Sequence, residues 1–241
     1  MHNLSMSPML ADSRPGWLGA ILGRLLGLIY RLTGRDRYDN FRLERLGDLK
    51  ILVMPTVSNP KVLRTGAFFA SQLDGRVIGP SDEVLDLGTG SGVCALFAAQ
   101  LGGRVVATDI NPAAVRCALV NALMNGLEKN IEFRQGDLFT PVGDERFDVV
   151  LFNPPFLLGA PKDDRDAAWH SQDVAERFAT GLANHLKSDG VALLLLSSFG
   201  DACAVFESEL RSRGLRLEVF ARRRYVNEVV TILRATRGEA V

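Results

Sequence analysis

From Asp82 onward, short apolar runs alternate with helical patterns, and this alternation restricts the fold more than any other feature of the chain. EVLDLG, from Glu83, reads as a strand, and Ser91 to Leu101 as a helix. RVVATDI, from Arg104, is a second strand, followed by a helix over Pro112 to Asn125. Asn111 is placed to cap that helix, with Pro112 in its first turn. IEFRQG and FDVVLFN supply the third and fourth strands, Asp173 to Leu186 a helix, GVALLLLSS a fifth strand, and Ala202 to Arg213 a helix. LRLEVFARR and NEVVTILRA close the chain as a strand pair. Continuous Val/Ile/Leu runs suit strands buried on both faces, and the intervening helices must cross over between parallel neighbours. The expected class is α/β, with a largely parallel sheet covered by helices on both sides.

Ligands of such sheets lie beyond the carboxyl ends of the strands, so the residues just after each strand carry the information. After the first strand comes DLGTGSG, with Asp86, Gly88, Gly90 and Gly92. These glycines permit a tight turn and a close backbone approach to a ligand. Their spacing is GxGxG. The dinucleotide fingerprint GxGxxG would place its last glycine where Val93 stands, which argues against a nicotinamide dehydrogenase. After the second strand, Asp109 is positioned to accept hydrogen bonds from both hydroxyls of a ribose. After the third comes Gly136-Asp137-Leu138, a carboxylate that suits an amino group beside an apolar cover.

The fourth strand ends in Asn153-Pro154-Pro155-Phe156. Asn153 offers a side-chain carbonyl, and Pro154 a backbone carbonyl stiffened by the following proline. Two fixed acceptors suit an NH₂ group with its two donors, and Phe156 adds a flat face for stacking. Trp169, His170 and Asp173 follow in the next loop.

With those motifs in place, the chain resembles the class I S-adenosylmethionine-dependent methyltransferases. VLDLGTGSG, ATDINPAAVRCALVNALMNG, QGDLF and FDVVLFNPPF match that family in order and spacing, over roughly residues 65–234. The last resembles the (N/D)PP(Y/F) signature of amino-methyltransferases, and the chain is most similar to the HemK/PrmC-like group. Phe156 stands where the glutamine-methylating members carry tyrosine. The resemblance implies a Rossmann-like, seven-stranded sheet with an antiparallel last strand, and S-adenosyl-L-methionine as cofactor. It assigns Asp86, Gly88 and Gly90 to the pocket for the methionine part. It gives Asp109, with Ile110, to the ribose and Asp137 with Leu138 to the adenine. Thr65 and Gly66, in RTGAFF, belong to a segment that closes over cofactor and substrate. Asn153, Pro154, Pro155 and Phe156 hold the substrate nitrogen, with Asn153 also bordering the cofactor. The implied reaction is methyl transfer to a planar nitrogen: a glutamine side-chain amide of a protein, or a small-molecule amine or amide. The N6 amino group of adenine in RNA or DNA is the alternative, and a non-catalytic S-adenosylmethionine-binding module is the alternative of another class.

Composition bears on partners and domains. The 241 residues carry no net charge, but residues 128–176 hold 11 acidic against 5 basic side chains, and residues 211–237 hold 8 arginines against 2 glutamates. The loop PKDDRDAAW beside the Asn-Pro-Pro-Phe motif is acidic on balance, which disfavours a nucleic-acid partner. Cys94, Cys117 and Cys203 are widely spaced and read as reduced thiols of a cytoplasmic protein. The histidines lack metal-ligand spacing, so no metal is expected. Residues 1–48 read as an N-terminal extension and residues 49–241 as the methyltransferase domain. In the extension, Leu18, Ile21, Leu22, Leu25, Leu28, Ile29 and Leu32 form one helical stripe, with Arg24 and Arg31 opposite. The stretch is shorter than the roughly 20 apolar residues that span a bilayer. It is expected to pack on the domain, with peripheral membrane contact or pairing with a second copy as the alternatives.

Overall fold

The computed structural model describes residues 40–60, 64–160, 170–198, 200–226 and 228–238. The stretch expected as an amphipathic helix lies outside them, as does Trp169.

The described chain opens with a hairpin, β1 (Arg42–Leu46) and β2 (Leu49–Val53), followed by the short helix α1 (Thr65–Ala70). The alternating segment then gives β3 (Glu83–Leu87), α2 (Val93–Gln100), β4 (Arg104–Asp109), α3 (Pro112–Asn125), β5 (Ile131–Gln135) and β6 (Phe147–Phe152). Two short strands, β7 (Leu157–Leu158) and β8 (His170–Ser171), precede α4 (Val174–His185) and β9 (Leu186–Ser197). The chain ends with α5 (Cys203–Ser212), β10 (Leu215–Arg224) and β11 (Val229–Arg237).

Seven strands form one sheet in the order β10-β11-β9-β6-β3-β4-β5. The central pairings are parallel, and β11 lies antiparallel to both β9 and β10. The chain builds outward from β3 through β4 to β5, then returns to place β6 on the other side of β3. That reversal opens a crevice beyond the carboxyl ends of β3 and β6, the usual ligand position in an open α/β sheet.

Alternation along the strands sorts the core into two layers. Val149 and Leu151 of β6 join Val84, Leu96 and Val105 on the side of α1, α2 and α3. Val150 and Phe152 join Leu85, Phe178 and Phe206 on the side of α4 and α5. Each such fully buried side chain contributes about 1.5–3 kcal/mol. The Phe152 ring stacks on Phe178 at a centroid distance of 4.7 Å, so α4 is seated directly beneath the end of the Asn-Pro-Pro-Phe strand.

Several boundaries differ from the sequence reading, among them the starts of one helix and one strand. The helix expected from Ser91 begins at Val93, because Ser91 and Gly92 belong to the turn and Gly92 holds φ +82°. The fifth strand starts at Leu186 rather than Gly190, since Leu186 already pairs with Phe147. The hairpin β1–β2 adds a feature the alternation did not include. It turns at Gly47, with φ +57°, so the expected domain boundary at residue 48 falls within that turn. Leu49, Ile51 and Val53 point into the core. The backbone of β2 is held by two asparagines one helical turn apart on α3. Asn125 accepts the Lys50 N–H and donates to the Lys50 carbonyl. Asn121 accepts the Leu52 N–H at 2.7 Å and donates to the Leu52 carbonyl at 2.7 Å. The two amides therefore satisfy alternate backbone groups of β2, as a neighbouring strand would.

Candidate active site

The turn after β3 is shaped by three glycines with φ of +63° (Gly88), +56° (Gly90) and +82° (Gly92), a region that side-chain-bearing residues rarely adopt. A Cβ on Gly92 would approach Ala118 of α3 to 2.9 Å, so this glycine lets the turn pack against that helix. A Cβ on Gly88 or Gly90 would find its nearest neighbour at 3.7 or 4.0 Å. These two leave a bare backbone cradle along a cavity of about 420 Å³.

Asp86 sits behind the cradle and is not among the cavity's lining residues. Its Oδ2 accepts the Thr89 hydroxyl at 2.7 Å and the Ala95 N–H at 3.1 Å. Burial pushes its carboxyl up to about 7, against the opposing pull of those two hydrogen bonds. Burial also raises the neighbouring Cys94 thiol. Asp86 therefore braces the turn from within, rather than facing the cavity as the sequence-based assignment to the methionine pocket implies.

Asp109, at the end of β4, lines the cavity. Its Oδ2 accepts the Gly90 N–H and its Oδ1 the Asn111 N–H, both at 2.9 Å. Burial raises its pKa, opposed by these backbone donors. Asn111 caps α3 by accepting the Ala113 N–H, as its position before Pro112 predicts. Ile110 also lines the cavity and stays 57% exposed, an apolar surface that no neighbouring side chain covers.

At the end of β5, Gly136 donates to the Asp109 carbonyl, and its missing side chain makes room for Pro141. Asp137 and Leu138 follow on the cavity wall, with Leu138 at φ +47°. The Asp137 carboxylate is paired with Arg177 of α4 through Oδ2. Thr65 and Gly66 close the opposite side, where Gly66 packs against Pro60 so tightly that a Cβ would come within 2.9 Å.

Asn153, Pro154, Pro155 and Phe156 line the same cavity. The Asn153 Oδ1 atom is buried and, among the described residues, has no hydrogen-bond partner. A buried acceptor left unmade costs free energy, and in native structures it usually marks a place where something else donates. The backbone beyond it is fixed. The Phe156 carbonyl accepts the Ala202 N–H, and Gly200 is so close that a Cβ would lie 1.9 Å from that carbonyl oxygen. Leu157 and Leu158 pair with His170 and Ser171, and Asp201 accepts the Leu158 N–H at 2.8 Å.

Of the described site residues singled out from sequence, the cavity gathers all but Asp86, Gly92 and His170. Sequence reasoning missed Thr56 to Ser58, Pro60, Ser171, Gln172, Val174 and Arg177, all of which line it. Among the described residues, the non-glycine ones with positive φ are Thr56, Arg64 and Leu138; two line the cavity and the third precedes Thr65. Strain of this kind concentrates at functional sites, and in a β-branched residue such as Thr56 it is uncommon.

The family model of the methyltransferase small domain matches residues 49–219. The chain belongs to that family. This methyltransferase is 34% identical over 165 residues to a putative protein N5-glutamine methyltransferase of Methanocaldococcus jannaschii, a match covering 64% of the chain and 81% of the relative. It is 37% identical over 123 residues to the tRNA1(Val) (adenine(37)-N6)-methyltransferase of Porphyromonas gingivalis, covering 47% and 48%. The chain spans less than half the length of that relative, and two-fifths of the ribosomal protein glutamine and L11 methyltransferases that it also matches. Its fold is that of the T. thermophilus 16S rRNA N2 G1207 methyltransferase, with a TM-score of 0.63 at 22% identity over 82% of this chain and 50% of that one. The chain is a class I methyltransferase with S-adenosylmethionine as cofactor. The cradle of Gly88 and Gly90, the Asp109 carboxylate and the cavity volume fit a nucleoside ligand with an attached amino-acid chain.

Proposed function

We propose that this methyltransferase modifies a planar nitrogen, foremost the side-chain amide of a protein glutamine. The observation that carries the reading is the buried, unpartnered Asn153 Oδ1 on the wall of the cavity. In this reading Asn153 Oδ1 and the Pro154 carbonyl accept the two N–H groups of the substrate, and Phe156 supports its planar face. An amide nitrogen is a weak nucleophile because its lone pair is delocalised. Acceptors fixed on its hydrogens stabilise the positive charge that develops there, without reorganising during the reaction. The cofactor supplies an electrophilic methyl group on a sulfonium. Gly88 and Gly90 line the bed for its amino-acid part, Asp109 holds the ribose hydroxyls, and Asp137 and Leu138 hold the adenine. The glutamine reading draws support from the first relative, of whose length the chain spans four-fifths.

A second reading, the N6 amino group of an adenine, uses the same acceptors. It draws on the second relative and on two arginines beside α1: Arg223 lies over the Phe68 ring at 4.8 Å and Arg64 over Tyr225 at 5.5 Å. Transfer of labelled methyl to a fractionated lysate from cells lacking this chain separates the two. Protease-sensitive label that acid hydrolysis releases as methylamine is expected. Label removed by ribonuclease, with none in protein, would replace glutamine by the adenine reading.

A further inference from the structure

Arg177 stands on the first turn of α4, the helix that follows the Asn-Pro-Pro-Phe loop, yet its partner lies at the far end of the cavity. Its guanidinium donates to Asp137 Oδ2, and its Nε meets Asp173 Oδ1 at 3.1 Å. It lines the cavity itself. The backbone of Asp137 is already fixed: Gly136 is packed on Pro141 and donates to the Asp109 carbonyl, the Asp137 carbonyl accepts the Thr140 N–H, and Leu138 holds a positive φ. What stays open is rotation of the carboxylate. Arg177 removes that freedom by occupying one oxygen. Among the described residues, Oδ1 takes no hydrogen bond and is the remaining acceptor.

We infer that Arg177 is a positioning residue that sets nucleobase selectivity of the cofactor site: by holding Asp137 through Oδ2, it presents Oδ1 to the 6-amino group of adenine. The inference rests on the reading that Asp137 faces the base. Without Arg177, the half-exposed carboxylate turns toward water and the 6-position is no longer discriminated. A guanidinium suits the task because its planar fork fixes direction as well as charge. Asp173 meets the other edge of the fork, which favours the orientation that faces Asp137.

The test is calorimetric binding of S-adenosylhomocysteine and of S-inosylhomocysteine, which carries a 6-oxo group and an N1–H in place of the 6-amino group. The parent chain should prefer the adenosyl compound by about tenfold or more, the scale of one hydrogen bond to a charged acceptor. Arg177→Ala should reduce that preference to within about twofold while still binding both compounds. Asp137→Ala should do the same, and the double variant should add nothing further, as expected for residues acting as one unit. Should the alanine variant not fold, Arg177→Gln removes the charge with less loss of packing and carries the same expectation. An unchanged preference in the Arg177 variants would overturn the inference. A parent that does not distinguish the two compounds would remove the premise about Asp137. A parent that binds neither would instead contradict the account of the cofactor site as a whole.

Discussion

The Gly90 N–H donates to Oδ2 of Asp109 at 2.9 Å, so the carboxylate that ends β4 also ties down the glycine turn that ends β3. One side chain thereby fixes two walls of the cavity. Removing it should cost more than a lost contact to ribose. Asp109→Ala is expected to weaken S-adenosylhomocysteine binding by at least about tenfold, the scale for hydrogen bonds to a charged group. Titration calorimetry checks this, and an unchanged dissociation constant would contradict it.

Asp86 makes a prediction about pH. Its folded-state value of about 7 lies above the ordinary carboxylate value of 3.8, because burial penalises the charge. The folded protein therefore holds this proton more tightly than the unfolded chain does. The associated stability is fully present below about pH 4 and is lost as pH rises toward 7. At 1.36 kcal/mol per pKa unit the whole loss is about 4 kcal/mol. Asp86→Asn keeps an acceptor for Thr89 and Ala95 without titrating. Between pH 5 and 7, the melting temperature of the parent should fall relative to this variant by roughly 5–10 °C. Parallel curves would show that Asp86 does not titrate in that window.

Asn121 links the hairpin to the glycine turn after β3. Besides its bonds to Leu52, its Nδ2 donates to the Ser91 carbonyl at 2.8 Å, and the residue is fully buried. Asn121→Ala leaves backbone groups of Leu52 and Ser91 without their partner, a loss of about 1–3 kcal/mol for each buried group so exposed. Urea denaturation should show a lower midpoint. A midpoint equal to that of the parent would mean that Asn125 and the burial of Leu49, Ile51 and Val53 hold the hairpin without Asn121.

The sheet and the cavity wall were legible in the sequence for a common reason. Parallel strands buried on both faces leave continuous apolar runs, and the cavity-lining residues sit at the interruptions, so Gly88, Asp109, Asp137 and Asn153 stand where periodicity stops. Asn111 and Pro112 marked the start of α3 through local chemistry alone. Other features depend on distant partners. Asn121 reads as one polar residue in a helix until Leu52 and Ser91 are placed beside it. Arg177 lies 40 positions from Asp137, with nothing local to signal the pairing. Asp86 belongs to the motif, but only packing shows that it faces Thr89 and Ala95 and not the cavity. The hairpin carried a legible signal that the alternation from Asp82 overshadowed: a Gly47-Asp48 turn before the alternating Leu49, Ile51 and Val53.

Gly200 tests how the substrate side is held. A Cβ there would fall 1.9 Å from the Phe156 carbonyl oxygen, and backbone cannot yield as a side-chain tip does. Gly200→Ala should shift Phe156, raise substrate KM, and leave S-adenosylhomocysteine affinity within about twofold, since the atoms nearest to the added Cβ all belong to Phe156. Loss of cofactor binding with unchanged substrate KM would contradict this division.

Asn153→Ala bears most directly on the central claim, that a buried acceptor at the end of β6 activates a substrate nitrogen. The measurement pairs single-turnover methyl transfer with calorimetric binding of S-adenosylhomocysteine. Removing one acceptor aimed at developing charge typically costs about 10²–10³ in rate. Transfer by Asn153→Ala should fall by that much while cofactor affinity is retained. Methyl transfer at the parent rate would contradict it and leave Asn-Pro-Pro-Phe as a structural turn.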